Sequence, residues 1–120
     1  MKGIVVVLGA SPNPERFSYK AVKRLVKHNY QVVAIGKRKG TIESIPIITG
    51  QPPLENVHTV TMYLSPHHQG EIFDYVLSLR PKRIIFNPGT ESSEFEEWLE
   101  SYGMEILHDC TLVMLATGRF

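Results

Sequence analysis

The residues with the clearest chemical potential follow an unbroken apolar run near the amino end. Ile4-Val5-Val6-Val7-Leu8 leads directly into Gly9-Ala10-Ser11, and a helical pattern begins at about Phe17. A strand that is buried on both faces needs continuous Val, Ile and Leu. Small residues between such a strand and a helix let backbone N–H groups and the helix N-terminus approach a phosphate. The segment therefore predicts the phosphate-binding turn of a nucleotide-binding α/β unit.

This turn differs from two common phosphate-binding sequences. Gly9-x-Ser11-x-x-Pro14 lacks the later glycines of G-x-G-x-x-G, and the chain contains no G-x-x-x-x-G-K-[ST]. NAD-binding proteins usually carry an Asp or Glu after the second strand, but this chain has Gly36-Lys37-Arg38-Lys39. The cations predict a phosphorylated ribose, as in NADP or the 3'-phosphorylated adenosine of coenzyme A (CoA). A solvated basic hairpin remains the alternative.

Residues that could act in catalysis are few. His67 and His68 are adjacent, and no third residue has the spacing of a metal ligand, so we expect no metal site. Cys110 follows His108-Asp109, but neighbours along a strand point to opposite faces. We expect Cys110 to be structural, because an activated thiol also needs a placed base. The sequence predicts no catalytic residue.

Strand patterns and helix patterns alternate along the chain. The predicted strands are Ile4–Leu8, Gln31–Ile35, Ile45–Ile48, His58–Leu64, Arg83–Phe86 and Met104–Leu107. The predicted helices are Phe17–His28, Gln69–Leu79 and Glu94–Tyr102, and Thr111–Ala116 is compatible with helix or strand. Pro46 would remove a ladder hydrogen bond, so the strand that contains it is expected at an edge.

This alternation predicts a Rossmann-like, doubly wound α/β fold, with a mainly parallel sheet of five to six strands and helices on both faces. We expect residues 1–120 to form one domain. Ligands of such sheets bind at the carboxyl ends of the strands, where the strand order reverses. Four loops are therefore candidate walls of a site: 9–18, 36–40, 65–68 and 87–92.

The composition indicates a cytoplasmic protein with a local anion site. The net charge is +1 and the cations are dispersed, so neither nucleic acid nor a membrane surface is an expected partner. Cys110 is the lone cysteine, which excludes an internal disulfide. No apolar stretch reaches the roughly 18 residues of a membrane span. Met1-Lys2-Gly3 precedes the first strand directly, so we expect no signal peptide.

The segment Gly9-Ala10-Ser11-Pro12-Asn13-Pro14-Glu15-Arg16-Phe17-Ser18-Tyr19 resembles the start of the small stand-alone CoA-binding domain proteins. These proteins are related to the nucleotide-binding domain of the succinyl-CoA synthetase alpha subunit. Further similarities are the helix that contains Ala21-Val22-Lys23-Arg24-Leu25, Ser65-Pro66 after the central strand, and Cys110 near the carboxyl end. The resemblance covers nearly the whole chain.

The resemblance implies a set of CoA-binding residues. Gly9, Ala10, Ser11 and Asn13 would line the diphosphate turn, with Arg16 and Ser18 close by. Gly36 and Lys37 would meet the adenosine end. Ser65 and Pro66 would flank the ligand, and Asn87, Pro88, Gly89 and Thr90 would border the pantetheine route.

The expected function is therefore binding of CoA or a close nucleotide relative, in a non-catalytic or regulatory module. One alternative is an NADP-dependent oxidoreductase that uses the same basic loop and a proton donor such as Tyr63 or His67. Another is a scaffold subunit whose main ligand is a protein partner or a second copy of the chain.

Overall fold

The computed structural model describes residues 3–120, so the expectation for Met1 and Lys2 lies outside the described residues. The strands are β1 (Ile4–Leu8), β2 (Gln31–Ile35), β3 (Gly40–Ile42), β4 (Ile45–Ile48), β5 (Val57–Met62), β6 (Arg83–Phe86) and β7 (Glu105–His108). The helices are α1 (Phe17–Lys27), α2 (Phe73–Leu79), α3 (Ser93–Glu100) and α4 (Thr111–Ala116). Short 3-10 turns cover Pro66–His68 and Gly70–Ile72.

The strands form one sheet in the order β3-β4-β2-β1-β5-β6-β7. β1 pairs in parallel with β2 on one side and with β5 on the other. β3 pairs antiparallel with β4, and the other pairings are parallel. The predicted mainly parallel α/β sheet is confirmed. Because the chain runs outward from β1 through β2 and then returns to β5, the strand order reverses between β1 and β5.

The sheet has seven strands rather than five or six, because β3 was not predicted. β3 forms the edge, so the expectation that the Pro46 strand is the edge is wrong. Pro46 lies opposite Thr41 of β3, and β4 pairs with β2 through Ile47 and Ile48 alone. The parallel pairing of β4 with β2 therefore begins after Pro46, so the N–H group that proline lacks is not needed in that pairing.

Helices cover both faces of the sheet, as expected. In β1, Val6 and Leu8 pack into a core that also contains residues of α2 and α3. Val5 and Val7 point to the other face, where they pack with residues of α1 and α4. Because both faces of β1 are buried, its apolar run is continuous rather than alternating.

Two helical segments differ from expectation. The predicted helix over Gln69–Leu79 is a 3-10 turn followed by α2 from Phe73. Ile72 and Val76 are buried as expected, whereas Phe73 and Leu77 are half-buried. The ambiguous segment 111–116 is helical. No helix within residues 3–120 is long and apolar enough to cross a membrane.

Candidate functional site

The loops after β1, β2, β5 and β6 border one open cleft of about 540 Å³ at the carboxyl edge of the sheet. Predicted site residues that line it are Gly9, Ala10, Ser11, Asn13, Arg16, Ser18, Lys37, Ser65, Pro88, Gly89 and Thr90. The cleft is also lined by Pro12, Phe17, Arg38, Tyr63 and Leu64. Three predicted residues, Gly36, Pro66 and Asn87, are not among the lining residues.

Hydrogen bonds within the protein fix the shape of the turn after β1. The amide N–H groups of Gly9 and Ala10 both donate to the carbonyl oxygen of Ile35 at 2.9 Å. Ser11 Oγ accepts from the amide of Asn13 at 3.1 Å, and Asn13 Oδ1 accepts from the next-but-one amide at 3.0 Å. The amides of Gly9 and Ala10, expected to approach a phosphate, are therefore engaged within the protein.

The anion-binding groups at this wall come instead from the start of α1. The residue before the helix is Arg16, which makes no side-chain capping hydrogen bond. The first N–H groups of a helix have no partner within it, and the first turn of α1 contains no acidic residue. Arg16 is exposed and lines the cleft. The helix end therefore offers backbone donors, a favourable dipole and a guanidinium to an anion.

Close backbone approach explains the glycines at this wall. Gly9 has φ +99°, a conformation that favours glycine. A Cβ atom at Gly36 would lie 2.0 Å from the carbonyl oxygen of Ala10. Gly36 therefore lets the loop after β2 pack against the loop after β1. Its role is to place Lys37, and it does not line the cleft itself.

The loop after β2 supplies positive charge to the cleft. Lys37 and Arg38 are exposed and line it. Neither of the two ion pairs within residues 3–120 uses Lys37 or Arg38. Both cations are therefore available to a bound anion.

The opposite wall is made by the loops after β5 and β6. Gly89 has φ +91°, and a Cβ atom placed there would meet nothing within 4 Å. The side-chain amide of Gln69 links the two loops, because it donates to the carbonyl oxygens of Leu64 at 2.8 Å and Thr90 at 2.7 Å. Gln69 is 1% exposed. We predicted Gln69 only as part of a helix, and its sequence context carries no signal for this bridging role.

Asn87 has a structural role rather than the predicted contact with the ligand route. Its side chain donates to Thr61 Oγ1 and to the carbonyl oxygen of Met62, both at 2.8 Å. Its Oδ1 accepts from the amide of Thr111 at 2.8 Å. The side chain is thus occupied in joining β5, the end of β6 and the start of α4. Asn87 therefore supports the loop after β6 without lining the cleft.

Tyr63 contributes its ring to the cleft and buries its hydroxyl. The hydroxyls of Thr61 and Thr111 bond to each other at 2.7 Å, and the buried Tyr63 hydroxyl lies beside them. Burial raises the pKa of Tyr63 to about 12, although the neighbouring threonine hydroxyls partly offset it. A buried group with so high a pKa is poorly suited to proton donation near neutral pH. The geometry gives no support to Tyr63 as the donor of a reductase.

The remaining candidates lie outside the cleft lining. Pro66 opens a 3-10 turn and is exposed. His67 is exposed, and His68 Nδ1 lies 3.1 Å from Ser65 Oγ. Cys110 is half-buried at the residue before α4. Within residues 3–120, no three His, Cys, Asp or Glu side chains are grouped as metal ligands.

A smaller cavity of about 290 Å³ adjoins the cleft. The two share Gly9, Lys37 and Leu64 as lining residues. The cavity extends over the ends of β1 and β2 toward the 3-10 turns and α2. One extended ligand could therefore occupy both.

Another depression, of about 500 Å³, lies between α1 and α4 and is lined by Lys20, Lys23, Arg24, Lys27, Leu112, Val113 and Ala116. None of these residues belongs to a loop at the carboxyl edge of the sheet. We therefore place the candidate nucleotide site in the cleft.

Several solved structures have the same fold as this chain. An uncharacterized protein of known crystal structure is 43% identical to this chain, with a TM-score of 0.96. The match covers 100% of this chain and 99% of that protein. A Thermus thermophilus protein is 20% identical over 99% of this chain and 91% of its own, with a TM-score of 0.86. A conserved hypothetical protein from Pyrococcus furiosus is 22% identical over 88% of this chain and 91% of its own, with a TM-score of 0.75. The last two show the fold alone.

The family model described as CoA binding domain matches residues 4–116, which include every lining residue of the cleft. No curated protein matches the chain. The resemblance noted in the sequence is confirmed by the family match. With nearly its whole length matched, this chain belongs to the CoA-binding domain family.

Proposed function

We propose that the protein binds CoA in the cleft and acts as a binding module without catalysing a reaction. The observation that carries the proposal is the convergence of the α1 N-terminus, Arg16, Lys37 and Arg38 on one cleft. CoA carries a diphosphate and a separate 3'-phosphate, so it needs anion-binding groups at two places. The cleft offers both.

The diphosphate fits the start of α1. The uncapped first turn and Arg16 can bind its oxygens, and Gly9 allows the tight turn that brings this end of the helix to the cleft. The 3'-phosphate fits the loop after β2, where Lys37 and Arg38 have no carboxylate partner. Charge-assisted hydrogen bonds of this kind are roughly twice as strong as neutral ones.

The two ends of CoA fit the two directions that lead from the diphosphate. The base would enter the smaller cavity, which begins at Gly9 and Lys37. The pantetheine arm would follow the opposite wall, from Ser65 to Gly89 and Thr90. A Cβ atom at Gly89 would meet nothing within 4 Å, so this part of the wall is open.

The lining of the cleft supports binding rather than acid–base or nucleophilic catalysis. Its ionisable side chains are Arg16, Lys37, Arg38 and Tyr63, whereas His68 and Glu71 line the smaller cavity, at the end assigned to the base. The three cations suit phosphate binding, and the Tyr63 hydroxyl is buried. Such a set can hold an anionic ligand but has no group arranged for proton transfer at neutral pH.

Calorimetric titration of the purified protein with CoA, dephospho-CoA, NADP, NAD and ATP tests the proposal. We expect CoA to bind most tightly, and dephospho-CoA, which lacks the 3'-phosphate, to bind several-fold more weakly. NADP affinity equal to or greater than that of CoA would overturn the ranking. Native mass spectrometry of the purified protein is a second readout, because a retained ligand reports its own mass.

A further inference from the structure

The smaller cavity beside the cleft has an apolar floor and one oriented amide at its rim. Leu8, Ile35 and Ile72 are buried residues that line it. Gln51 lies at its rim and is exposed. An apolar pocket with few placed polar groups is typical of small-molecule sites, in which the polar groups decide orientation and specificity. The cavity is also lined by Lys37, Thr49, His68 and Glu71, but Gln51 carries its one side-chain amide. An amide can donate and accept at the same time, so Gln51 is the group best suited to recognise a base.

The orientation of the Gln51 amide follows from its one hydrogen bond. Gln51 Nε2 donates to the backbone carbonyl oxygen of Glu71 at 3.0 Å. A carbonyl oxygen accepts but cannot donate, so the nitrogen of Gln51 must face Glu71. The segment after Gln51 is also held, because the Tyr75 hydroxyl donates to the carbonyl oxygen of Pro52 at 2.6 Å. Gln51 Oε1 and the second N–H remain free to meet a ligand.

These free groups match adenine. Its C6 amino group donates, and a neighbouring ring nitrogen accepts, which is the pattern that a glutamine amide reads in nucleic acids. Hypoxanthine and guanine carry a carbonyl oxygen at C6, which would face Gln51 Oε1 as a second acceptor. The bond to Glu71 opposes rotation of the amide to suit those bases.

We infer that Gln51 is a specificity-determining residue, which selects an adenine base over a 6-oxo purine through Oε1. This inference rests on the proposed binding of CoA. It assigns the choice of base to one side chain that belongs neither to the phosphate-binding turn nor to the basic loop. Gln51 is exposed, so we expect an effect of one net hydrogen bond, about fivefold in affinity.

The test compares CoA with its hypoxanthine analogue, in which the adenine amino group is replaced by oxygen. Titration of the wild-type protein should show about fivefold weaker binding of the analogue. In Gln51→Leu, CoA should weaken to the level of the analogue, and the preference should disappear. The ratio of CoA to dephospho-CoA affinity should not change in this variant, because Lys37 and Arg38 are intact.

Gln31→Leu is the matched control, because Gln31 is exposed at the start of β2, outside both the cleft and the smaller cavity, and should leave the preference in place. Equal wild-type affinity for CoA and the analogue would overturn the inference while leaving the proposed function intact. A preference that persists in Gln51→Leu, or that disappears in Gln31→Leu, would contradict the assignment of base recognition to Gln51. If neither ligand binds the wild-type protein, the proposed function fails together with the inference.

Discussion

Replacement of Asn87 by leucine should strongly destabilise the fold, because one side chain holds three elements together. Asn87 is 2% exposed and makes three side-chain hydrogen bonds of 2.8 Å. Leucine is similar in size and can make none of them. The backbone N–H of Thr111 and the carbonyl oxygen of Met62 would each lose a hydrogen-bond partner in a buried setting.

The magnitude follows from these three bonds. Each contributes about 1 kcal/mol net, and buried groups left without a partner lie at the upper end of the range. We therefore expect Asn87→Leu to lower the free energy of unfolding by roughly 3 kcal/mol. For a chain of this size, that corresponds to a fall in Tm of roughly 10 °C or more.

Urea denaturation followed by circular dichroism measures the change, with thermal unfolding as a second readout. Thr41→Val is a suitable control, because Thr41 is exposed on β3 and should change stability by no more than about 0.5 kcal/mol. A double-mutant cycle with Thr61→Val should give a coupling energy of about 1 kcal/mol, because Thr61 shares one of the bonds. A loss below 1 kcal/mol in Asn87→Leu, or additive effects in the cycle, would refute the reasoning.

Three further predictions concern the cleft and its surroundings. Lys37→Ala should weaken CoA binding several-fold but leave dephospho-CoA binding nearly unchanged, whereas Lys27→Ala, outside the cleft, should affect neither in calorimetric titration. Since burial raises the pKa of Tyr63 from 10.0 to about 12, its neutral form contributes stability that is complete below pH 10 and is lost as the pH rises toward 12. Urea titrations should therefore show the wild-type protein losing stability relative to Tyr63→Phe over that interval. Cys110→Ser should leave the Kd for CoA within roughly threefold under reducing conditions, and a loss beyond tenfold, or a stoichiometric CoA adduct on the wild type, would contradict a structural role for this thiol.

The fold was largely predictable because its central strands are buried on both faces. Continuous apolar runs identify β1, β2 and β6 with their observed bounds. β3 escaped prediction, since Gly40-Thr41-Ile42 is too short and mixed to show a pattern. Its conformation depends on pairing with β4, which periodicity does not report.

The position of the cleft was predictable from the rule that parallel strands end at one edge, but the role of each side chain was not. Asn87 and Ser65 are both polar residues that follow a strand, yet Asn87 is directed into the protein and Ser65 lines the cleft. Gln69 and Tyr63 likewise depend on their tertiary neighbours. A sequence pattern shows that a polar residue is near the edge of the sheet, but the direction of its side chain is decided by packing.

The amide bridge of Gln69 has a consequence for the kinetics of binding. Because it bonds both Leu64 and Thr90, the two loops of one wall are held as a single rigid unit before any ligand arrives. Little conformational entropy is then lost when this wall is occupied, which favours affinity at a given number of contacts. Association with the ligand should therefore proceed in one step, without a slow closing phase.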